Sequence, residues 1–202
     1  LLASANVQSN QALSSLGSLS LAGVSGALTS NYNNLSAVQT SVSVTQRALS
    51  VTGANTSSTY SGSAQTNATA TITGTQGSDT FTVSGYGTGT NASATVYADS
   101  LSLTGNGATL TSNYNITYSN GGLTIGKANL SAVGTKVYDA SSAFSGTSFT
   151  SITGVNGETF TATGSATLAS ANVQSNQALS SLGSLSLAGV GGALTSNYNN
   201  LS

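Results

Sequence analysis

The 202-residue sequence contains no cysteine, histidine, methionine, tryptophan or proline. Charge is nearly absent too: Arg47, Lys127 and Lys136 stand against Asp79, Asp99, Asp139 and Glu158. Each gap removes a class of chemistry. Without Cys or His there are no ordinary ligands for zinc, haem or an iron–sulfur cluster, no thiol nucleophile and no imidazole base, so no metal and no cofactor are expected. Three cations cannot track a phosphate backbone, which argues against nucleic acid as a partner. Serine is plentiful, but with no His and no suitably placed Lys nothing activates its hydroxyl, and no enzyme is expected. No run approaches the roughly 18 consecutive apolar residues of a membrane span, so membrane insertion is not expected. No basic segment followed by an apolar one suggests a signal peptide, and the missing initiator Met suggests a window cut from something longer. Zero Cys suits a reducing compartment, or passage through an oxidising one without disulfides.

What fills the chain is small and polar: Ser, Thr, Gly and Asn supply 111 of the 202 residues. That composition alone would suit a disordered coil. Yet hydrophobic residues reach 38% and mean hydropathy is +0.09, too apolar for a solvated chain. The apolar residues fall at every second position. Val42 and Val44, Ala70 and Ile72, Phe81 and Val83, and Leu123 and Ile125 each flank Ser or Thr. A period of 2 marks half-buried strands with Thr on the solvent face. Turn signals separate them, among them Gln76-Gly77-Ser78-Asp79, Asn106-Gly107, Asn120-Gly121-Gly122 and Asn156-Gly157. Gln174–Leu182 reads as loop into strand rather than helix, and helix content under about 5% is expected of such a chain.

The sequence repeats itself. Residues 168–202 reproduce residues 2–36 with one difference in 35 positions, Gly191 for Ser25, and the blocks start 166 residues apart. A weaker repeat lies inside this period. Thr59-Tyr60-Ser61-Gly62-Ser63 matches Val137-Tyr138-Asp139-Ala140-Ser141, and Asp79-Thr80-Phe81 matches Glu158-Thr159-Phe160. The run Leu-Ser-Leu-x-Gly…Leu-Thr-Ser-Asn-Tyr-Asn occurs three times, ending at Tyr32, Tyr114 and Tyr198 with the same Leu-to-Tyr spacing. Two alternating modules follow. Residues 48–127 form a type A module, and type B starts at Ala128. Residues 1–47 are then the C-terminal part of a B module, and 128–202 a B module lacking its last strand. The joints Val44-Thr45-Gln46-Arg47-Ala48-Leu49 and Ile125-Gly126-Lys127-Ala128-Asn129-Leu130 correspond, with almost no linker, which favours a semi-rigid rod.

About seven short strands per module of this length predict an all-β chain of tandem immunoglobulin-like β-sandwich modules. A parallel β-helix is the alternative: it would pair strands in parallel around one continuous core, where sandwiches give antiparallel hairpins and a core per module. In module A, Ile116-Thr117-Tyr118, Asn-Gly-Gly and Leu123-Thr124-Ile125 read as a terminal hairpin entered by Tyr114. Such a Tyr either buries its ring and bonds its hydroxyl to upstream backbone, as a tyrosine corner does, or is a plain core Tyr. The expected structural core is Tyr32, Tyr60, Phe81, Tyr114, Tyr138, Phe160 and Tyr198, with Tyr86 and Tyr97 as the more exposed aromatics.

At these anchors the chain resembles bacterial surface adhesin repeats. Lys136-Val137-Tyr138-Asp139-Ala140-Ser141 resembles the Lys-Val-Tyr-Asp-Gly-Thr opening of the YDG repeat, with Ala140 in place of the family Gly. The likeness continues through Gly157-Glu158-Thr159-Phe160, the Ala-Ser-Ala-Asn-Val run and the Leu-Ser-Leu…Asn-Tyr close. Module A is similar to the MBG-type repeats that alternate with it, with Tyr60-Ser61-Gly62 for Tyr-Asp-Gly. The resemblance implies a large secreted, filamentous-haemagglutinin-like adhesin, exported unfolded and displayed as a stalk at the bacterial cell surface. Its expected partners are neighbouring copies of the repeat in one long chain or filament, and a host or bacterial surface ligand of the parent protein. The competing expectation is a module that itself binds a host glycan or a partner fibre.

Four other features carry weaker expectations. Gly74–Phe81 resembles one calcium-binding nonapeptide, but a lone copy has no stacked neighbour to complete a coordination shell, and a turn is the better reading. An internal Lys–Asn isopeptide needs a buried Lys beside a buried acid, which leaves Lys136 with Asp139 or Glu158. Asn-x-Ser/Thr sequons at Asn34, Asn55, Asn67, Asn91, Asn115, Asn129 and Asn200 are about as many as the composition gives by chance. The Thr-x-Thr runs near Thr71 and Thr88 lack a regular rung spacing and read as solvent-face strand.

Overall fold

A computed structural model describes residues 1–201. The chain is all-β. Its strands are β1 (Gln8–Gln11), β2 (Val42–Val44), β3 (Arg47–Gly53), β4 (Asn55–Thr59), β5 (Gln65–Thr66), β6 (Ala70–Thr73), β7 (Phe81–Ser84), β8 (Thr88–Gly89), β9 (Tyr97–Ala98), β10 (Ser102–Gly105), β11 (Tyr114–Ser119), β12 (Gly122–Gly126), β13 (Ser131–Gly134), β14 (Ala143–Ser145), β15 (Phe149–Thr153), β16 (Phe160–Thr163), β17 (Ser165–Leu168), β18 (Leu179–Ser181) and β19 (Ser186–Gly189). The helical segments among the described residues are six single 3-10 turns. They make up 9% of the chain, above the expected helix content, although none is an α-helix. Three of them are the same Thr-Ser-Asn turn, at Thr29–Asn31, Thr111–Asn113 and Thr195–Asn197. Each is closed by the N–H of the following Tyr donating to the Thr carbonyl. No helix among the described residues is long and apolar enough to cross a membrane.

The chain divides into two compact units interleaved in sequence. Unit 1 comprises Leu1–Thr52, Thr71–Ser84 and Ser102–Ser119; unit 2 comprises Gly53–Ala70, Gly85–Leu101 and Asn120–Ser202. Packing and sequence repeat therefore partition the chain differently: the repeat gives contiguous modules, the packing draws strands from several stretches. Unit 1 carries the sheets β1-β2, β10-β7 and β11-β3-β6, and buries Leu49, Val51 and Tyr114. Unit 2 carries β4-β12-β9, β5-β8, β13-β15, β14-β17-β18 and β16-β19. Its core gathers Tyr60, Leu123, Ile125, Ala128, Ile152, Phe160, Ala162 and Tyr198. Leu123 and Ile125 alternate along β12, and Phe160 and Ala162 along β16 with Thr161 and Thr163 exposed, the period-2 pattern read from the sequence.

The hairpin expected at 116–125 does not form. β11 pairs in parallel with β3, from Tyr114 opposite Arg47 to Ser119 opposite Thr52. β12 pairs in parallel with β4, from Gly122 opposite Asn55 to Gly126 opposite Thr59. Both ladders keep one offset, 67 residues. Asn120-Gly121-Gly122 is thus not a reversal. The Gly122 N–H donates to the Ala54 carbonyl (3.1 Å). A Cβ at Gly121 would fall 2.2 Å from the Ala54 oxygen, and one at Gly122 would fall 2.4 Å from Val96 Cγ1. The glycines serve close backbone approach, a use of strand Gly that sequence alone does not separate from a turn. The remaining pairs for which a register is defined are antiparallel, as in β7–β10 and β16–β19, so parallel and antiparallel pairing coexist.

Identical sequence behaves differently in the two copies. Ser186–Gly189 is β19, paired with β16, and the run ends in buried Tyr198. The same letters at 20–23 make no strand, and Leu21, Val24, Leu28 and Tyr32 are exposed, Tyr32 at 69%. Tyr32 is therefore not a core residue here. Residues 1–47 contain no counterpart of β16, so the apolar face has no strand to lie against.

Candidate functional site

The chemistry-bearing side chains converge in two tyrosine–carboxylate clusters built on one plan. In unit 2, the Tyr198 hydroxyl donates to Glu158 Oε2 (2.7 Å) and accepts from the Val155 N–H (2.9 Å). The Tyr60 hydroxyl donates to Glu158 Oε1 (2.5 Å). The Tyr198 ring meets Phe160 edge-on at 5.1 Å and Tyr60 edge-on at 5.5 Å. In unit 1, the Tyr114 hydroxyl donates to Asp79 and accepts from the Gln76 N–H (3.1 Å), with Phe81 edge-on at 5.3 Å. In both, the backbone N–H lies three residues before the acid and the Phe two residues after it. The local reason is shared. The Thr-Ser-Asn 3-10 turn delivers the Tyr inward, while the loop before β7 or β16 turns its acid and one free N–H to meet the hydroxyl.

These contacts bring together five of the seven aromatics named from the sequence. Tyr60, Tyr114, Phe160 and Tyr198 are buried and Phe81 is half-buried. Tyr138, like Tyr32, is exposed, at 61%. Its module A counterpart Tyr60 lies under the Tyr198 ring and next to β12, covers that Tyr138 lacks. Tyr86 and Tyr97 are half-buried rather than exposed; Tyr97 packs against the unit 2 core and donates its hydroxyl to the Asn91 carbonyl (3.0 Å). Burial, then the Glu158 hydrogen bond, pushes the Tyr198 hydroxyl up to about 12. The hydrogen bond to Glu158 raises Tyr60, and that to Asp79 raises Tyr114, with burial second in each. All three hydroxyls are held neutral, as donors to a carboxylate. This is bracing chemistry, with no group poised to take or give a proton at neutral pH.

A third polar cluster escaped the sequence reading. Asp99 and Asn67 are buried in unit 2. The Asp99 carboxylate accepts from Gly87 N–H (2.7 Å), Gly121 N–H (3.1 Å) and Asn67 Nδ2 (3.0 and 3.1 Å). Asn67 Nδ2 also donates to the Ala54 carbonyl (2.7 Å), and Asn67 Oδ1 accepts from the Thr56 hydroxyl (3.0 Å). A buried carboxylate is tolerated because three N–H donors replace its water. The signal available was a lone acid among apolar residues; the partners are too distant in sequence to be foreseen. Asn67 lies in a sequon, but its amide is occupied and buried.

The Lys136–Ser141 motif forms a clamp. Lys136 Nζ pairs with Asp139 Oδ1 (2.7 Å) and donates to the carbonyls of Ser141 (2.8 Å) and Ala143 (2.6 Å). The Asp139 carboxylate also accepts from the Ser141 N–H (3.0 Å), and the Lys136 bond holds its pKa below the ordinary value. Ala140 is thereby forced to φ 60°, as Gly62 at the matching place of module A has φ 75°, the left-handed region that suits Gly. Of the isopeptide candidates, Asp139 is an exposed ion-pair partner and Glu158 is engaged by two hydroxyls. Asp79 serves Tyr114, and among the described residues no three Asp or Glu side chains converge as a metal site would require.

With this geometry in place the family comparison is decisive for one stretch. Residues 123–200 match the YDG domain. The match spans β12 to Asn200 and so takes in the Lys136 clamp, Glu158, Phe160 and Tyr198. The Tyr-Asp-Gly signature of the YDG domain thus has a physical basis in this chain: an aspartate that braces a tight loop, and a position of positive φ beside it. No curated protein and no solved structure matches the chain.

Proposed function

We propose that the chain is a structural repeat of a giant extracellular bacterial adhesin or surface filament, acting as stalk and spacer between the cell surface and a distal attachment site. The observation that carries this reading is the core of unit 2. Tyr60 belongs to module A, while Glu158, Phe160 and Tyr198 belong to the YDG domain, and they share one hydrophobic cluster and one carboxylate. A joint built this way resists bending between modules, which a stalk needs and a string of independent beads does not have. The near-identical 166-residue repeat supports serial use of one unit. The polar chemistry braces the fold and assembles no nucleophile, base or metal set for a reaction.

Small-angle X-ray scattering tests the reading on the chain and on a version lengthened by one further 166-residue period. A stalk adds a fixed increment of maximum dimension for the added period. Growth as the square root of length, as for a flexible linker, would overturn it. A glycan array probed with the intact chain adds the second arm: saturable binding to a defined glycan would move the function from spacing to recognition.

A further inference from the structure

The two copies of the repeat expose a vacancy in the YDG domain. Gln8–Gln11 and Gln174–Gln177 have the same sequence, Gln-Ser-Asn-Gln, one period apart. In the first copy these residues are strand β1, paired antiparallel with β2, Gln8 opposite Val44 and Gln11 opposite Val42. In the second copy they make no strand among the described residues, although the backbone keeps the same kink, Asn176 at φ 53° against Asn10 at φ 51°. The difference is the partner. β2 corresponds to β12 of module A, each leading through the joint into the next module. β12 is a middle strand, parallel to β4 on one side and antiparallel to β9 on the other. β2 pairs with β1 alone.

The place a second such strand would occupy is open. A groove of about 370 Å³ runs between residues 133–139 and 171–177. Its walls correspond to β4 with Tyr60, and to β9, in module A. It is lined by apolar side chains that nothing covers: Val137 and Val173 are each 88% exposed, Tyr138 61% and Val133 57%. We propose that this groove accepts Val42–Val44 of a second copy of the chain as its missing middle strand. The donated segment runs antiparallel to Gln174–Gln177, with its Val44 opposite Gln174 and its Val42 opposite Gln177, and parallel to the stretch around Gly134–Val137. The valines then alternate into the groove as Leu123 and Ile125 do in module A. Every bond given up to β1 is regained against an identical sequence, and the second edge is gained in addition, which drives the exchange. Each copy donates at one place and accepts at another, so the contact is head-to-tail and open-ended. The inference rests on the repeat and the groove, not on the adhesin reading.

The test uses the full chain and two variants. The donor-dead variant carries Val42→Asp and Val44→Asp; the acceptor-dead variant carries Val137→Asp and Val173→Asp. Sedimentation velocity over a concentration series should show wild-type chains growing from monomer to dimer and longer species, while each variant alone stays monomeric. A one-to-one mixture should give a dimer and stop there, because one acceptor and one donor remain intact; that dimer also shows both variants folded where it matters. A labelled peptide of residues 36–47 should bind the wild-type chain saturably and shorten the oligomers, and a scrambled peptide should not. A wild type that stays monomeric throughout, oligomers that survive both variants, a mixture that yields no dimer, or a peptide that fails to bind would each overturn the proposal.

Discussion

The motif Thr-Ser-Asn-Tyr occurs three times, and the three tyrosines separate what the local sequence does from what its surroundings do. Replacing each by Phe keeps the ring and removes one hydroxyl. At Tyr198 that deletes a hydrogen bond to the Glu158 carboxylate and leaves the Val155 N–H without its acceptor. Bonds to charged groups are worth about 1.5–3 kcal/mol, and a buried polar group left unpaired costs about 1–3 kcal/mol. Tyr198→Phe should therefore destabilise by about 3 kcal/mol. Tyr114 makes the equivalent pair of bonds to Asp79 and Gln76, so Tyr114→Phe should lose about 2–3 kcal/mol by the same reasoning. Tyr32 is 69% exposed, so Tyr32→Phe should fall within about 0.5 kcal/mol of wild type. Urea unfolding followed by circular dichroism reads the series. At ~1–3 kcal/mol per molar urea, the two costly variants shift the midpoint by about 1–3 M with the slope unchanged. Equal losses at all three positions would refute the reasoning, because the hydroxyl would then act within its own turn and not through the distant acid.

Ala140→Gly should stabilise by about 1 kcal/mol in thermal melts, because a left-handed Ala costs roughly 1–2 kcal/mol and the added flexibility of the unfolded chain returns only part of that; a destabilised variant would count against the clamp. Gly154→Ala should destabilise by about 1–3 kcal/mol, since its Cβ would fall 2.3 Å from the Tyr198 hydroxyl oxygen, and the variant's urea midpoint checks this. The raised tyrosine pKa values fix an alkaline limit. The neutral hydroxyls contribute fully below about pH 10, the unfolded value, and that contribution is lost as pH rises towards about 12. An ultraviolet titration should show Tyr198 ionising together with alkaline unfolding, and ionisation near pH 10 in the folded state would contradict its burial.

Strand and turn were legible where alternation was strict: Leu123 and Ile125, Phe160 and Ala162 face the core as their spacing requires. The repeat also aligned Tyr114 with Tyr198 and Phe81 with Phe160, and those pairs share one hydrogen-bonding plan. What the letters could not convey was pairing. Asn120-Gly121-Gly122 has turn composition, yet its glycines admit a neighbouring backbone, and the strands on either side pair with partners 67 residues away. Burial depended on partners as well. Tyr32 and Tyr198 share their sequence neighbours, but only Tyr198 has β16 and β19 beside it; Tyr138 lacks the strand that β12 supplies beside Tyr60. The Asp99–Asn67 network was hidden because its donors come from three separated loops.

The most direct test of the account is native-state hydrogen exchange on the intact chain, comparing the Tyr60 amide, which donates to the Gly126 carbonyl, with the amides of β16. If module A and the YDG domain share one core, these amides open together with the same free energy, and Tyr60→Ala accelerates exchange in β16 as strongly as around Gly126. Tyr60 exchanging on its own, with β16 unmoved by Tyr60→Ala, would contradict a continuous joint and leave the modules as separate beads.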